Sequence, residues 1–255
     1  TSIRQKHILI LVNDFYHMKI IAPCKINLAL DVLKKTASGK HKIQTVFLEL
    51  KNPHDIIEIK ETRLSDKASM LNPLENRLIT PENNLAFKAL KLFKQKTGTK
   101  KFFEIKIKKR IPLSSGLGGA SSDAAAVLKG LNSLCKTNLS TNQLFSLAAK
   151  LGSDVPFFVI GGCALGTNFG EKLTPLPIPK NLKIKLFLPK AKTFPPLNKT
   201  ANAYAALDLS RCGKNKSKTL SKKFLIENIH NDFETIFAVP KGHHLCGSGP
   251  ATYTV

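Results

Sequence analysis

The stretch Pro112-Leu113-Ser114-Ser115-Gly116-Leu117-Gly118-Gly119-Ala120-Ser121-Ser122-Asp123 joins two segments of different periodicity. Before it, Phe103, Ile105 and Ile107 alternate with Glu104, Lys106 and Lys108, the period of a half-buried strand. The strand runs to Ile111 and stops at Pro112, whose nitrogen has no hydrogen to give a sheet ladder. After it, Ala124, Val127, Leu128 and Leu131 recur with helical spacing. A strand-to-helix turn of this composition has two readings. Glycines let the backbone approach an anion and take positive φ, the serines add hydroxyl donors, and the helix presents unpaired N–H groups and the positive end of its dipole. On that reading it cradles phosphates; on the other it is a tight packed turn with a serine cap. No Gly-Lys-Ser/Thr follows at Walker A spacing, and the glycines do not fit the dinucleotide fingerprint.

Outward from the loop, Lys25–Leu33, Ile43–Leu50 and Asp55–Lys60 are rich in strand formers and predict an opening sheet. Ala86, Ala89, Leu90 and Phe93 mark an amphipathic helix over 84–96. Leu144, Leu147, Ala148 and Leu151 mark another, with Ser140 and Gln143 spaced as its capping box. Asn181–Leu188 reads as a further strand, and Lys214–Lys223 as a mobile basic loop. The pattern predicts three parts: an extension over 1–17 before Met18, a lobe over 18–174, and a second lobe over 175–255 beginning near Pro175.

The 255 residues are 42% hydrophobic, enough for one large core or two lobes. No apolar run approaches the roughly 18 residues of a membrane span, and a soluble, cytoplasmic protein is expected. The five cysteines form no C-x-x-C pair and are expected as buried thiols in a reducing compartment. With 40 Lys+Arg against 17 Asp+Glu the net charge is +23, which attracts polyanions. The basic residues are scattered and carry no nucleic-acid-reading motif, so nucleic acid is not the expected partner.

The pattern Pro-x-x-x-Gly-Leu-Gly-Gly-x-Ser-Ser-Asp-Ala-Ala from Pro112 resembles the ATP-binding motif of the galactokinase, homoserine kinase, mevalonate kinase and phosphomevalonate kinase (GHMP) superfamily. Ala22-Pro23-Cys24-Lys25-Ile26-Asn27-Leu28, Gly39-Lys40-His41-Lys42-Ile43-Gln44-Thr45 and Asn83-Asn84-Leu85 resemble motifs of its methylerythritol branch, the family of kinases acting on 4-(cytidine diphospho)-2-C-methyl-D-erythritol. Gly152-Ser153-Asp154-Val155-Pro156-Phe157-Phe158, Asn231-Asp232-Phe233-Glu234 and Gly247-Ser248-Gly249 continue that likeness in order.

The resemblance implies an α+β fold of two lobes, the first like some ribosomal proteins and the second ferredoxin-like, with ATP and a small cytidine-diphosphate substrate in the cleft between them. It implies transfer of phosphate from magnesium ATP to the 2-hydroxyl of the methylerythritol unit, with no protein-held metal assigned. Lys25 and Asp154 match the family's catalytic pair: Asp154 would accept the hydroxyl proton, and Lys25 would keep it ionised and polarise the attacking oxygen. Pro112 to Ser122 and Asn84 match ATP-binding positions, while Asn27, His41, Tyr204, Gly247 and Ser248 match substrate-binding ones. Asn27 shares a strand face with Lys25, and a neutral His41 imidazole has both a donor and an acceptor for a cytosine edge.

Three departures from the family pattern stand out. Lys40 replaces the usual aromatic residue before the histidine, and Ser114 and Ser115 stand where many relatives have glycine or alanine. Pro240 breaks the stretch between Phe233 and Gly247 where a helix is usual, and the sequence stops at Val255, so either a shortened second lobe or an incomplete sequence is expected. Lys40 keeps open another acceptor such as homoserine, mevalonate or a sugar. The charge and the short second lobe keep open an RNA-binding relative without activity.

Overall fold

A computed structural model describes residues 8–12, 15–71, 83–178, 182–188, 199–215 and 228–255. The chain divides into two units, each assembled from separate segments. The first takes Thr1–Pro23, Pro53–Arg110 and Gly119–Val159; the second takes Cys24–Asn52, Ile111–Gly118 and Ile160–Val255. Strands β2 (Phe15–Lys35) and β3 (His41–Thr62) contribute residues to both.

In the first unit β1 (Ile8–Val12) pairs antiparallel with the start of β2, in register Ile8 to Lys19, so part of the expected 1–17 extension is strand. The end of β3 pairs antiparallel with β5 (Phe102–Lys108), and β4 (Lys67–Leu71) pairs parallel with β5. Phe103, Ile105 and Ile107 of β5 are buried as their alternation predicts, together with Met18, Ile20, Ala22, Ile57 and Ile59. Helices α1 (Leu85–Thr97), α2 (Gly119–Leu134) and α3 (Thr141–Leu151) pack on one another. α2 lies directly on the sheet at Gly130, where a Cβ would stand 2.2 Å from Ile20 Cδ1. The short α4 (Val155–Ile160) ends the unit's last segment. The Ser140 capping box forms as predicted: its Oγ accepts from Gln143 N at 3.3 Å, while Gln143 Oε1 accepts from Ser140 N at 2.8 Å.

In the second unit the first half of β3 pairs with β6 (Cys163–Thr167), which pairs with β7 (Lys172–Leu176). Neither strand carries a clear alternation, and glycine and proline hide both. Pro175, where the composition predicts a boundary, lies inside β7 opposite Ala164. β8 (Lys185–Phe187) is shorter than the predicted strand, whose first residue, Asn181, lies outside the described residues. α5 (Lys199–Ala206) follows, and β9 (His230–Asn231) runs parallel to β2. β10 (His244–Leu245) and β11 (Thr252–Thr254) pair with each other and β11 with β8. Between Phe233 and Gly247 a 3-10 turn at Asp232–Thr235 stands in place of a longer helix. Most of the Lys214–Lys223 loop lies outside the described residues.

One core of this unit joins Cys24, Ile26 and Leu28 to Val46, Ile111, Leu117, Cys246 and Tyr253; a second joins Leu30, Val32 and Ile43 to Ala203, Leu207, Phe233 and Leu245. The cysteines are free thiols, four buried and Cys135 half-buried. Among the described residues no helix is long and apolar enough to cross a membrane.

Candidate active site

Three pieces of chain converge in the second unit. The first is β2 at Lys25 and Asn27, whose alternate positions share a face opposite the apolar Cys24, Ile26 and Leu28. Lys25 is 4% exposed, and its ammonium donates to Asn27 Oδ1 at 2.8 Å. Asn27 Nδ2 donates to Thr45 Oγ1 at 2.6 Å, and that hydroxyl donates to Ala29 O at 2.7 Å. Each member fixes the rotamer of the one before it, so the lysine is held by a buried polar chain rather than reaching for solvent. Thr45 belongs to the Gly39–Thr45 motif, but sequence alone gave no reason to pair it with Asn27.

The second piece is the glycine loop, where Lys25 N donates to Leu117 O at 3.0 Å and Ala251 N donates to Ser115 O at 3.1 Å. Ser114, Gly116 and Gly118 all have positive φ, at 54°, 85° and 74°. Glycine at 116 is required by packing as well as by φ: a Cβ there would stand 1.7 Å from Cys246 O. Ser115, one of the departures from the family pattern, is buried and gives its carbonyl to the C-terminal turn.

That turn, Cys246–Ala251, is the third piece. Gly247 sits over the polar chain: a Cβ on it would lie 3.2 Å from Lys25 Nζ and 3.1 Å from Gly116 O. Asn231 Nδ2 holds the turn by donating to Leu245 O at 3.1 Å and Gly247 O at 2.8 Å. Asp232 Oδ2 accepts from Val32 N and Gly213 N at 2.7 and 2.8 Å, and Glu234 Oε1 accepts from Leu245 N at 2.8 Å. The Asn231-Asp232-Phe233-Glu234 motif, which had no role in the sequence reading, is therefore the frame of this turn. Ser248 Oγ lies 3.4 Å from Thr200 Oγ1 at the start of α5.

His41 and Tyr204 stack with centroids 5.0 Å apart and planes 15° from parallel, and Phe233 meets Tyr204 edge-on at 4.9 Å. The Tyr204 face toward His41 is thus covered by the imidazole. Burial, aided by the charge of Lys35, holds the His41 pKa below its ordinary value, which favours the neutral ring. Lys40 Nζ lies 5.7 Å from the centroid of Phe169, a residue that sequence reasoning did not single out.

The remaining sequence candidates lie in the first unit. Asp154 forms the turn before α4, where Val155 N donates to Gly152 O at 3.3 Å. Asn84 caps α1, its Oδ1 accepting from Ala86 N at 2.9 Å, which gives this residue a structural use whatever else it does. Gly119 to Ser122 form the first turn of α2. Ser122 Oγ is buried and has no hydrogen-bond partner among the described residues. Orphaned N–H groups and an unspent hydroxyl at the start of a long helix fit the phosphates of ATP.

Comparison with known proteins agrees with this geometry. The family model described as the GHMP kinases N terminal domain matches residues 84–162. A 4-diphosphocytidyl-2-C-methyl-D-erythritol kinase of Caldicellulosiruptor saccharolyticus is 33% identical over 262 residues, covering 93% of this chain and 88% of the relative. One from Caldicellulosiruptor bescii is 41% identical over 197 residues, which are 77% of this chain and 66% of that one. The crystal structure of a 4-(cytidine 5'-diphospho)-2C-methyl-D-erythritol kinase superposes with a TM-score of 0.70 at 29% identity, covering 92% of this chain and 89% of the other. A polar lysine chain, a glycine loop and a C-terminal turn meeting in a chain so similar to these proteins over nearly its whole length leave one assignment: the chain belongs to the 4-diphosphocytidyl-2-C-methyl-D-erythritol kinase family of the GHMP kinases.

Proposed function

We propose that this kinase transfers the γ-phosphoryl group of ATP to the 2-hydroxyl of 4-(cytidine diphospho)-2-C-methyl-D-erythritol. The observation that carries the assignment of residues is the meeting of Lys25 and Asn27 with the glycine loop and Gly247. Phosphoryl transfer asks little covalent chemistry of a protein; it asks for positioned charge at the attacking oxygen and around the moving phosphoryl group. The loop and the first turn of α2 supply N–H and hydroxyl donors to the phosphates. Lys25 supplies a cation whose direction is set by Asn27 and Thr45. Gly247 keeps the space over that cation open, since a side chain there would cover it.

In the reaction the acceptor oxygen forms its bond to the γ-phosphorus, the bond to the bridging β,γ-oxygen breaks, and ADP leaves. The hydroxyl proton passes to Asp154. Magnesium would be carried by the triphosphate and would neutralise charge on its phosphates. His41 reads the cytosine by its ring edge as a neutral imidazole, and Ser248, beside Thr200 at the α5 start, contributes a hydroxyl to the substrate.

The test is a pair of variants assayed with labelled ATP. Lys25→Met, close in length but uncharged, should lower kcat by about 10²- to 10³-fold, the range seen on removal of one transition-state donor. Asp154→Asn should lower kcat by about 10²- to 10⁴-fold, the usual share of general-base catalysis. Full activity in Asp154→Asn would remove the base assignment, and full activity in Lys25→Met would remove the lysine's.

A further inference from the structure

Three titratable side chains outside the assigned site are buried together in the first unit. Asp55 on β3 is 0% exposed, Lys109 just beyond β5 is 1% exposed, and Asp123 in α2 is 4% exposed. The Lys109 ammonium donates to the Asp55 carboxylate and to Asp123 Oδ2, the latter at 2.8 Å. Asp55 also accepts the backbone N–H of Arg110 on its Oδ1, at 2.5 Å.

The placement of these contacts is the informative part. Lys109 and Arg110 are the last residues before the Ile111–Gly118 segment, and Asp123 lies in the helix that begins at the very next residue, Gly119. Asp55 therefore grips the chain entering the glycine loop twice, once by backbone and once by side chain. Lys109 links that entering strand to the helix leaving the loop. Together the contacts fix the separation of the loop's two ends and the rotation of α2 about its axis. That rotation sets which side chains of the helix's first turn lie beside its N–H groups.

Packing alone does not call for charge here. Two carboxylates and one ammonium are costly to bury, and apolar side chains of similar volume commonly fill such a place as well or better. The arrangement even leaves Asp123 Oδ1 without a partner among the described residues. What charged hydrogen bonds give, and apolar contacts do not, is direction.

We propose that Asp55, Lys109 and Asp123 are positioning residues for ATP, a clamp that fixes the two ends of the glycine loop, and with them the first turn of α2, for the triphosphate. This rests on the loop's reading as the ATP phosphate site. The clamp touches neither substrate and works only through the backbone it fixes. A displacement of about 1 Å in such a loop is enough to lose about 10²-fold in rate.

The experiment compares Asp123→Leu with Asp123→Asn. Leucine removes the contact to Lys109 but leaves the neutral Lys109–Asp55 pair, so the chain is expected to fold; asparagine keeps an oxygen for Lys109 to donate to. Melting temperature, the Kd of a non-hydrolysable ATP analogue and the steady-state constants for each substrate are measured for both. In Asp123→Leu the analogue's Kd should rise at least tenfold and kcat/KM for ATP should fall about 10²-fold. The KM for the cytidine substrate should change less than about twofold, and Asp123→Asn should keep most of the wild-type ATP affinity. A folded Asp123→Leu with wild-type analogue affinity and kcat/KM would overturn the proposal, as would equal losses in the two variants. If Asp123→Leu does not fold, the combined Asp55→Leu, Lys109→Met, Asp123→Leu chain, which buries no charge, serves in its place with the same outcomes. Because the analogue's Kd is read without an acceptor, a wild-type chain that binds the analogue but phosphorylates a different alcohol would overturn the acceptor and leave the clamp intact.

Discussion

At Gly116 two requirements coincide that sequence alone presents as one. Positive φ favours glycine, but the closer constraint is steric: the Cys246 carbonyl occupies the place of a side chain, 1.7 Å from an ideal Cβ. The blocking carbonyl is backbone, so Gly116→Ala must push the C-terminal turn away from the loop. A loss of about 2–4 kcal/mol in denaturant-unfolding free energy is expected, the scale of overpacking plus a strained φ, with activity lost along with it. Stability within about 0.5 kcal/mol of wild type would show that the loop and turn do not meet as described. By contrast Ser114 accepts a positive φ of 54° without glycine, which is why its presence does not break the motif.

The proposed reading of cytosine by His41 has a pH dependence. Burial and Lys35 push its pKa below 6.5, so the neutral ring persists as pH falls through the ordinary histidine range and is lost only below it. The KM for the cytidine substrate should therefore stay flat from about pH 8 to about 6.5 and rise at more acid pH. In His41→Asn that acid rise should disappear. A KM that climbs as pH falls from 8 to 7 would contradict the neutral-imidazole assignment.

At the scale of elements, the periodic ones were legible and the interrupted ones were not. β5, α1 and α2 each carry the period of their class over enough residues to outweigh any single exception, and α3 has its cap written at Ser140 and Gln143. β6 and β7 carry no such period because Gly166 and Pro175 interrupt their short runs, although β7, paired on one side only, tolerates a proline as edge strands do. Lys25, Asn27, Gly247 and the loop were legible through motif resemblance, and the structure joins them. The Thr45 support and the Asp55–Lys109–Asp123 clamp were not legible. Their partners lie far apart in sequence, and buried charge leaves no periodic trace.

The N-terminal turn region of α2 should also show in stability. Burial outweighs the pull of Lys109 and pushes the Asp123 carboxyl up to about 7, against an ordinary 3.8. Between those values the folded chain holds a proton that the unfolded chain releases, so this group's contribution to stability falls as pH rises from about 4 to about 7 and is level above. Asp123→Asn cannot titrate. Its stability relative to wild type, followed by denaturant unfolding across that range, should improve as pH rises; a constant difference would mean that Asp123 ionises normally when buried.

Over the whole molecule, sequence order and spatial grouping diverge. A boundary near Pro175 follows from composition; the second unit gathers segments from both sides of it, while the first is built from three segments that all precede it, because β2 and β3 are long enough to serve two cores. The net charge of +23 attracts ATP and a cytidine diphosphate alike, so it speaks for anionic ligands in general and not for one partner. On the proposed role of His41, choice of acceptor falls instead to that residue and its surroundings, where Lys40 lies over the Phe169 ring.

The most direct measurement is transfer of label from γ-labelled ATP, with magnesium, to a panel of 4-(cytidine diphospho)-2-C-methyl-D-erythritol, homoserine, mevalonate and a hexose. Label is expected on the 2-hydroxyl of the cytidine compound, with kcat/KM at least about 10³-fold above every other acceptor, the discrimination open to a site that hydrogen-bonds a specific base. A chain that binds ATP but leaves that compound unlabelled, or labels another acceptor faster, would contradict the proposed function.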